Sequence, residues 1–254
     1  MGMEGAAHMM GQRTFITRTR ALLADNAGVR KRAHCLTGKY LDEPRLGLVP
    51  AGERRVFARP ERRQYHDYHI ALLMDVSGSM SGSKLRHAAS AIHALWYALR
   101  VAGAAVSVFG FTCVTEQWNE RIVSDPTVLH NAAQRLMNRY SGNHDGEAIR
   151  HVARHLMENT RAPGKILLVL SDGQPSCGEC KLVVPGVTDE QDLRNAVREI
   201  RRAGQVTLLG VGILTSAPHM YYGKRHTALI LRSEDMPTLY HQTAALLHQH
   251  IQRG

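Results

Sequence analysis

Aromatic residues are scarce in this 254-residue sequence, at 6 %. Few of them (Phe57, Tyr65, Tyr68) lie near its most basic stretch, so an aromatic base-stacking platform has little to build on there. Long apolar runs are missing as well. The longest, such as Ile166–Leu170, fall far short of the roughly 18 residues a membrane span needs. No basic region followed by an apolar stretch opens the chain, and Ala6 stands where N-myristoylation requires Ser or Thr. A cytoplasmic protein with no membrane partner is the expectation. Four cysteines are too few for a disulfide scaffold at this length. Acidic residues are outnumbered 22 to 32, which leaves a net charge of +10. Disorder throughout is excluded, because 44 % of residues are apolar and only 21 % charged. The phosphate-cradling G-x-x-x-x-G-K-[ST], the nucleophile elbow G-x-S-x-G and the zinc-protease H-E-x-x-H are all absent; Gly82-Ser83-Lys84 echoes only the end of the first.

The chain divides by composition. Residues 1–69 carry a net charge of +6, against +4 for the remaining 185 residues. This first part is also punctuated by Gly38, Pro44, Gly47, Pro50, Gly52 and Pro60. Residues 1–67 are read as a basic extension, partly helical over Thr14–Arg32 and otherwise loop or extended chain. Residues 68–254 are read as one domain. Short apolar runs there (His69–Asp75, Ala104–Thr112, Lys165–Ser171, Val206–Ile213, Thr227–Arg232) alternate with helical patterns. Those helices are predicted over Lys84–Ala102, Gly146–Asn159, Asp189–Ala203 and Met236–Gln252. Runs of five or six apolar residues between helices describe strands buried on both faces. The fold class is therefore α/β, a doubly wound, mostly parallel open sheet with helices on both faces. Cys113–Trp118 is predicted as a short antiparallel edge strand. Ligands of such sheets bind at the carboxyl ends of the strands.

Three carboxylates fall at such ends. The first strand runs into Asp75-Val-Ser77-Gly-Ser79, where a carboxylate and two hydroxyls can converge in one tight turn. These are hard oxygen donors of the kind Mg²⁺ takes. Asp75 is expected on the solvent side of the strand end, as a ligand rather than a core residue. The third strand ends in Ser171-Asp172-Gly173, and Asp145 opens a helix in Asn143-His144-Asp145-Gly146-Glu147. Each piece alone has a plain reading as a helix cap or a turn. All three, in this order at strand ends and a helix start, point to one metal site.

Asp75-x-Ser77-x-Ser79 with Ser171-Asp172-Gly173 resembles the von Willebrand factor A (VWA) domain and its metal-ion-dependent adhesion site (MIDAS). The resemblance implies Mg²⁺, or Mn²⁺, held by Asp75, Ser77 and Ser79, with Asp172 acting often through water. The family's second motif is usually Thr; here the matching stretch has none, and Asp145 takes the position. A narrower resemblance rests on LLMDVSGSM, Gly110-Phe111-Thr112, His144–Ala148 and Leu170–Pro175, with Gly38–Asp42, Arg45-Leu46 and Val56-Phe57 upstream. These are similar to the C-terminal VWA domain of the cobaltochelatase subunit CobT. CobT proteins are longer and carry an acidic middle region, where this chain is basic. The resemblance implies a metal-dependent protein-binding adaptor that works with an AAA+ ATPase (CobS- or MoxR-like) and a client protein, itself non-catalytic. Genuine cobaltochelatase function in cobalamin biosynthesis is one alternative.

A second alternative uses Arg54, Arg55, Arg59, Arg62 and Arg63 of the basic extension to bind nucleic acid. A third is Mg²⁺-assisted hydrolysis at the metal loop itself. Cys177-Gly-Glu-Cys180 is half a Zn²⁺ site, which Cys35, Cys113 or histidines would have to complete; two thiols in a loop is the other reading. His151 and His155 are read as surface residues. His144 is either a turn residue or part of the wall of the metal pocket. Trp96 is read as core.

Overall fold

The structure is a computed structural model of the chain. It describes residues 29–38, 40–62, 67–173, 175–176, 186–232, 234–235 and 239–253. The first described elements are strands β1 (Val29–Cys35), β2 (Tyr40–Leu41) and β3 (Phe57–Arg62), with the one-turn helix α1 (Glu43–Leu46) between the last two. They form an antiparallel sheet in the order β1-β3-β2, with Arg30 opposite Glu61 and Leu41 opposite Phe57. This corrects part of the helix expected over Thr14–Arg32. Residues 14–28 lie outside the described residues, and Val29–Arg32 are strand, held by the ladder to β3. Cys177 and Cys180 also lie outside the described residues.

The main sheet has six strands: β4 (Tyr68–Asp75), β5 (Ala105–Phe111), β6 (Thr115–Trp118), β7 (Gly164–Ser171), β8 (Thr207–Ile213) and β9 (Thr227–Ile230). Their order is β6-β5-β4-β7-β8-β9, and only β6 runs antiparallel to its neighbour. Helices α2 (Ser83–Val101), α3 (Glu120–Val123), α4 (Pro126–Arg139), α5 (Asp145–Asn159), α6 (Asp189–Ala203), α7 (Pro218–Tyr222) and α8 (Leu239–Arg253) cover it. This is the doubly wound α/β class expected.

Alternation along β4 shows why the strand is apolar throughout. Ile70, Leu72 and Met74 join a core with α2, α4 and α8, whereas Ala71 and Leu73 join one with α5 and α6. Side chains alternate between faces, so a strand covered on both sides must be apolar at every position. Each fully buried Leu or Ile contributes about 1.5–3 kcal/mol. Trp96 is core, as expected. His155 departs from its surface reading: it is half-buried, edge-on to Phe109 at 5.1 Å.

From β4 the chain moves outward to β5 on one side and later to β7 on the other. That reversal opens a crevice beyond the carboxyl end of β4, and Asp75 is the last residue of that strand.

Candidate metal centre

Four loops meet at this crevice and are tied to one another by backbone bonds. Val76 N–H donates to Phe111 O at 2.9 Å, linking the ends of β4 and β5. Gly78 N–H donates to Ser141 O at 2.9 Å, and His144 N–H to Thr112 O at 3.0 Å. Asn143 and Ser176 bind reciprocally: Asn143 N–H to Ser176 O at 3.0 Å, and Ser176 N–H to Asn143 Oδ1 at 2.7 Å. The loops that carry Asp75, Asp145 and Asp172 are thereby held in one frame.

Asp75 is fully buried, which corrects the expectation of a solvent-side residue. It is buried because both its oxygens are already engaged from within the fold. Oδ1 accepts from Ser77 N–H at 2.8 Å and Oδ2 from Ser171 Oγ at 2.7 Å. Burial pushes its carboxyl up to about 6, with the bonds from Ser77 and Ser171 pulling the other way. Ser77 is buried and its Oγ lies 3.0 Å from that of the exposed Ser79, so the two hydroxyls are paired over the turn.

Asp145 opens α5 and is buried, with Oδ2 lacking a hydrogen-bond partner among the described residues. Burial first, and the charge of Asp75 second, raise its carboxyl well above the usual range. Asp172 is buried too, and its Oδ1 is likewise unpartnered among the described residues. Its Oδ2 accepts from Lys84 Nζ at 3.0 Å, and Lys84 also donates to Ser79 O at 3.2 Å. After Asp172 the chain turns sharply through Gly173 at φ +80°; a Cβ there would sit 2.8 Å from Ala217 Cβ and Pro218 Cδ. Only glycine meets both demands without strain.

All five residues named from the sequence are therefore at this crevice. Two roles were not anticipated. Ser171 positions Asp75, although it stood in the quoted motif. Lys84 supplies a cation to Asp172 from the first turn of α2, and its place five residues after Ser79 gave the only hint.

Three buried carboxylates that repel one another, two of them with an unpartnered oxygen, call for a cation. Among the described residues no three His, Cys, Asp or Glu side chains make a metal cluster by themselves. Here two hydroxyls complete an all-oxygen set, and such a set fits a hard divalent ion better than a soft one.

Residues 56–139 and 132–248 match the family model described as "Cobalamin biosynthesis protein CobT VWA domain". The chain belongs to the CobT VWA-domain family. Solved structures agree on the VWA fold. The vWF domain of the type V pili tip protein Mfa5 from Porphyromonas gingivalis is 12 % identical, with a TM-score of 0.53 over 74 % of this chain and 97 % of that one. Proximal thread matrix protein 1 from the mussel byssus, solved with a zinc-occupied MIDAS motif, is 14 % identical, with a TM-score of 0.51 over 71 % of this chain and 48 % of that one. The pilus adhesin SpaC from Lactobacillus rhamnosus GG is 12 % identical at a TM-score of 0.51, over 72 % and 31 %. This CobT-family chain thus spans about half the length of the mussel protein and about a third of the adhesin. At these identities the likeness concerns the fold. Among the described residues no helix is long and apolar enough to cross a membrane.

Proposed function

We propose that the chain binds one divalent cation, Mg²⁺ or Mn²⁺, through Asp75, Ser77, Ser79, Asp145 and Asp172, and uses it to dock an acidic residue of a partner protein. The observation that carries this reading is the pair of unpartnered buried oxygens, Asp145 Oδ2 and Asp172 Oδ1, beside the paired hydroxyls of Ser77 and Ser79. With Asp145 and Asp172 acting through water rather than bound directly, an ion on Asp75 and the two neutral hydroxyls would keep net positive charge. When bound, it supplies an electrostatic anchor for a carboxylate. The protein's own part is to orient the donors: Ser171 fixes Asp75, and the start of α5 fixes Asp145. The mussel protein with zinc in its MIDAS motif supports divalent-ion binding as a property of this fold.

The CobT match favours an adaptor that couples an AAA+ ATPase of the CobS or MoxR kind to a client protein. The family description also favours the narrower reading, a cobaltochelatase subunit in cobalamin biosynthesis. The test is affinity capture from lysate of the native host in Mg²⁺ or in EDTA, with Asp75→Asn alongside, read by mass spectrometry. An AAA+ ATPase retained in Mg²⁺ and lost in EDTA and in the variant is the expected result. A cobalt-inserting client in the same eluate would select the narrower reading. Capture of the same proteins regardless of metal would refute metal-dependent docking, and capture of nucleic acid alone would move the function to the basic first segment.

A further inference from the structure

Beside the metal loops lies a pocket of about 150 Å³ that this reading does not use. The β5–β6 turn contributes Thr112, Cys113 and Thr115 to its wall, and the start of α5 contributes His144, Glu147 and His151. Glu147 and His151 are four apart and share one face of α5, and His144 is the residue that precedes the helix. The pocket neighbours the metal loops through the chain itself. His144 immediately precedes Asp145, and its N–H is bonded to Thr112 O.

Three features define what it would hold. His144 is 7 % exposed, and its Nε2 has no hydrogen-bond partner among the described residues. Glu147 stands exposed at the mouth and makes no ion pair among the described residues. Among the described residues no Lys or Arg lines the pocket, although the chain has 32 of them. The wall is thus rich in acceptors: two threonine hydroxyls, a carboxylate and imidazole nitrogens.

We propose that this pocket is a second recognition subsite, which takes a basic side chain (a Lys ammonium or Arg guanidinium) carried close to the acidic residue that docks at the metal. With its proton on Nδ1, His144 accepts a hydrogen bond at Nε2 from the incoming N–H. Glu147 neutralises the charge at the mouth, and the threonine hydroxyls accept the remaining donors. The partner segment is then bipolar, with Asp or Glu and Lys or Arg a few residues apart. The inference rests on the docking reading for its acidic half only.

The test is fluorescence anisotropy on the full chain with labelled peptides. Each carries one Asp and one Lys separated by zero to three glycines, and each is paired with a peptide that has norleucine in place of Lys. In Mg²⁺ the best Lys peptide should bind about tenfold tighter than its norleucine match, the increment of one charge-assisted contact. Glu147→Gln should narrow the gap between the two affinities severalfold while leaving the norleucine peptide unchanged; Glu147 is exposed, so the variant is expected to fold. Equal, Mg²⁺-dependent binding of Lys and norleucine peptides would overturn the pocket and leave docking standing. A Lys preference undiminished in Glu147→Gln would also overturn it. Absence of Mg²⁺-dependent binding by every peptide would overturn both.

Discussion

At the scale of the residue, Asp75 sits where an ionised carboxylate is disfavoured. It is fully buried, near two other carboxylates, and its carboxyl is raised to about 6. Asp75→Asn keeps the shape, keeps an acceptor for Ser77 N–H and removes the disfavoured charge. In EDTA the variant should be as stable as the parent, or more stable by up to about 1 kcal/mol. The parent should gain about 2.7 kcal/mol from an ion at a hundred times its dissociation constant, and the variant nothing. Thermal denaturation with and without Mg²⁺ reads both effects; an undiminished metal-induced shift in Asp75→Asn would remove Asp75 from the ligand set. Lys84 offers a second test. Its ammonium occupies Asp172 Oδ2, so it competes with an entering cation. Lys84→Met should bind Mg²⁺ about two- to fivefold tighter by calorimetry, in line with the modest strength of a part-exposed ion pair. Equal or weaker binding would mean that Lys84 holds Asp172 in place rather than opposing the ion.

The same residues show how far the site was legible. Asp75, Ser77 and Ser79 are close in sequence, so one turn brings their donors together and the spacing alone suggests it. Asp172 follows from the end of an apolar run. The burial of Asp75 could not be read this way, because it depends on Ser171, 96 positions away, closing over Oδ2. The Lys84–Asp172 pair, 88 positions apart, is hidden for the same reason.

At the scale of the element, periodicity located every strand of the large sheet to within a residue or two, including the antiparallel edge β6. It did so because each central strand is buried on both faces and so reads as an unbroken apolar run. Helix α4 was overlooked, although Asp125-Pro126 is a start signal. The Asp125 carboxylate accepts from Thr127 N–H at 2.7 Å and Val128 N–H at 3.2 Å, with proline in the first turn. The strand pairing of Val29–Cys35 was unreadable because its sequence, VRKRAHC, alternates weakly and is set by its partner β3. Helix α6 carries a capping box that allows a clean test. Thr188 Oγ1 accepts from Gln191 N–H at 3.2 Å, and Gln191 Oε1 accepts from Thr188 N–H at 3.1 Å. Thr188→Ala should cost about 1 kcal/mol in urea denaturation and leave ion binding unchanged. A parallel loss of ion affinity would show that α6 helps to set the crevice. Such a link is physically open at Gly146, next to Asp145 on α5, where an added Cβ would run into the Asp192 carboxylate of α6 and lie 3.0 Å from the Asp192 backbone carbonyl carbon. Gly146→Ala should therefore displace the start of α5 and weaken ion binding; calorimetry on a variant with unchanged circular dichroism decides it.

At the scale of the whole molecule, the strand order β6-β5-β4-β7-β8-β9 puts the reversal of the sheet at β4 and the buried carboxylates at its mouth. The cores on the two faces hold the sheet, and the backbone bonds between loops hold the donors, so the ion is not needed to build the frame. In the reading proposed above, it would complete the frame electrostatically and give the surface a charge that an acidic partner can find. Everything proposed about docking depends on that ion. The most direct measurement is therefore a titration of the full chain with Mn²⁺, read by the paramagnetic resonance of the free ion, for the parent and Asp75→Asn. One Mn²⁺ per chain, displaced by excess Mg²⁺ and lost in the folded variant, is the result predicted. Absence of binding in the parent, or equal binding in Asp75→Asn, would contradict the account.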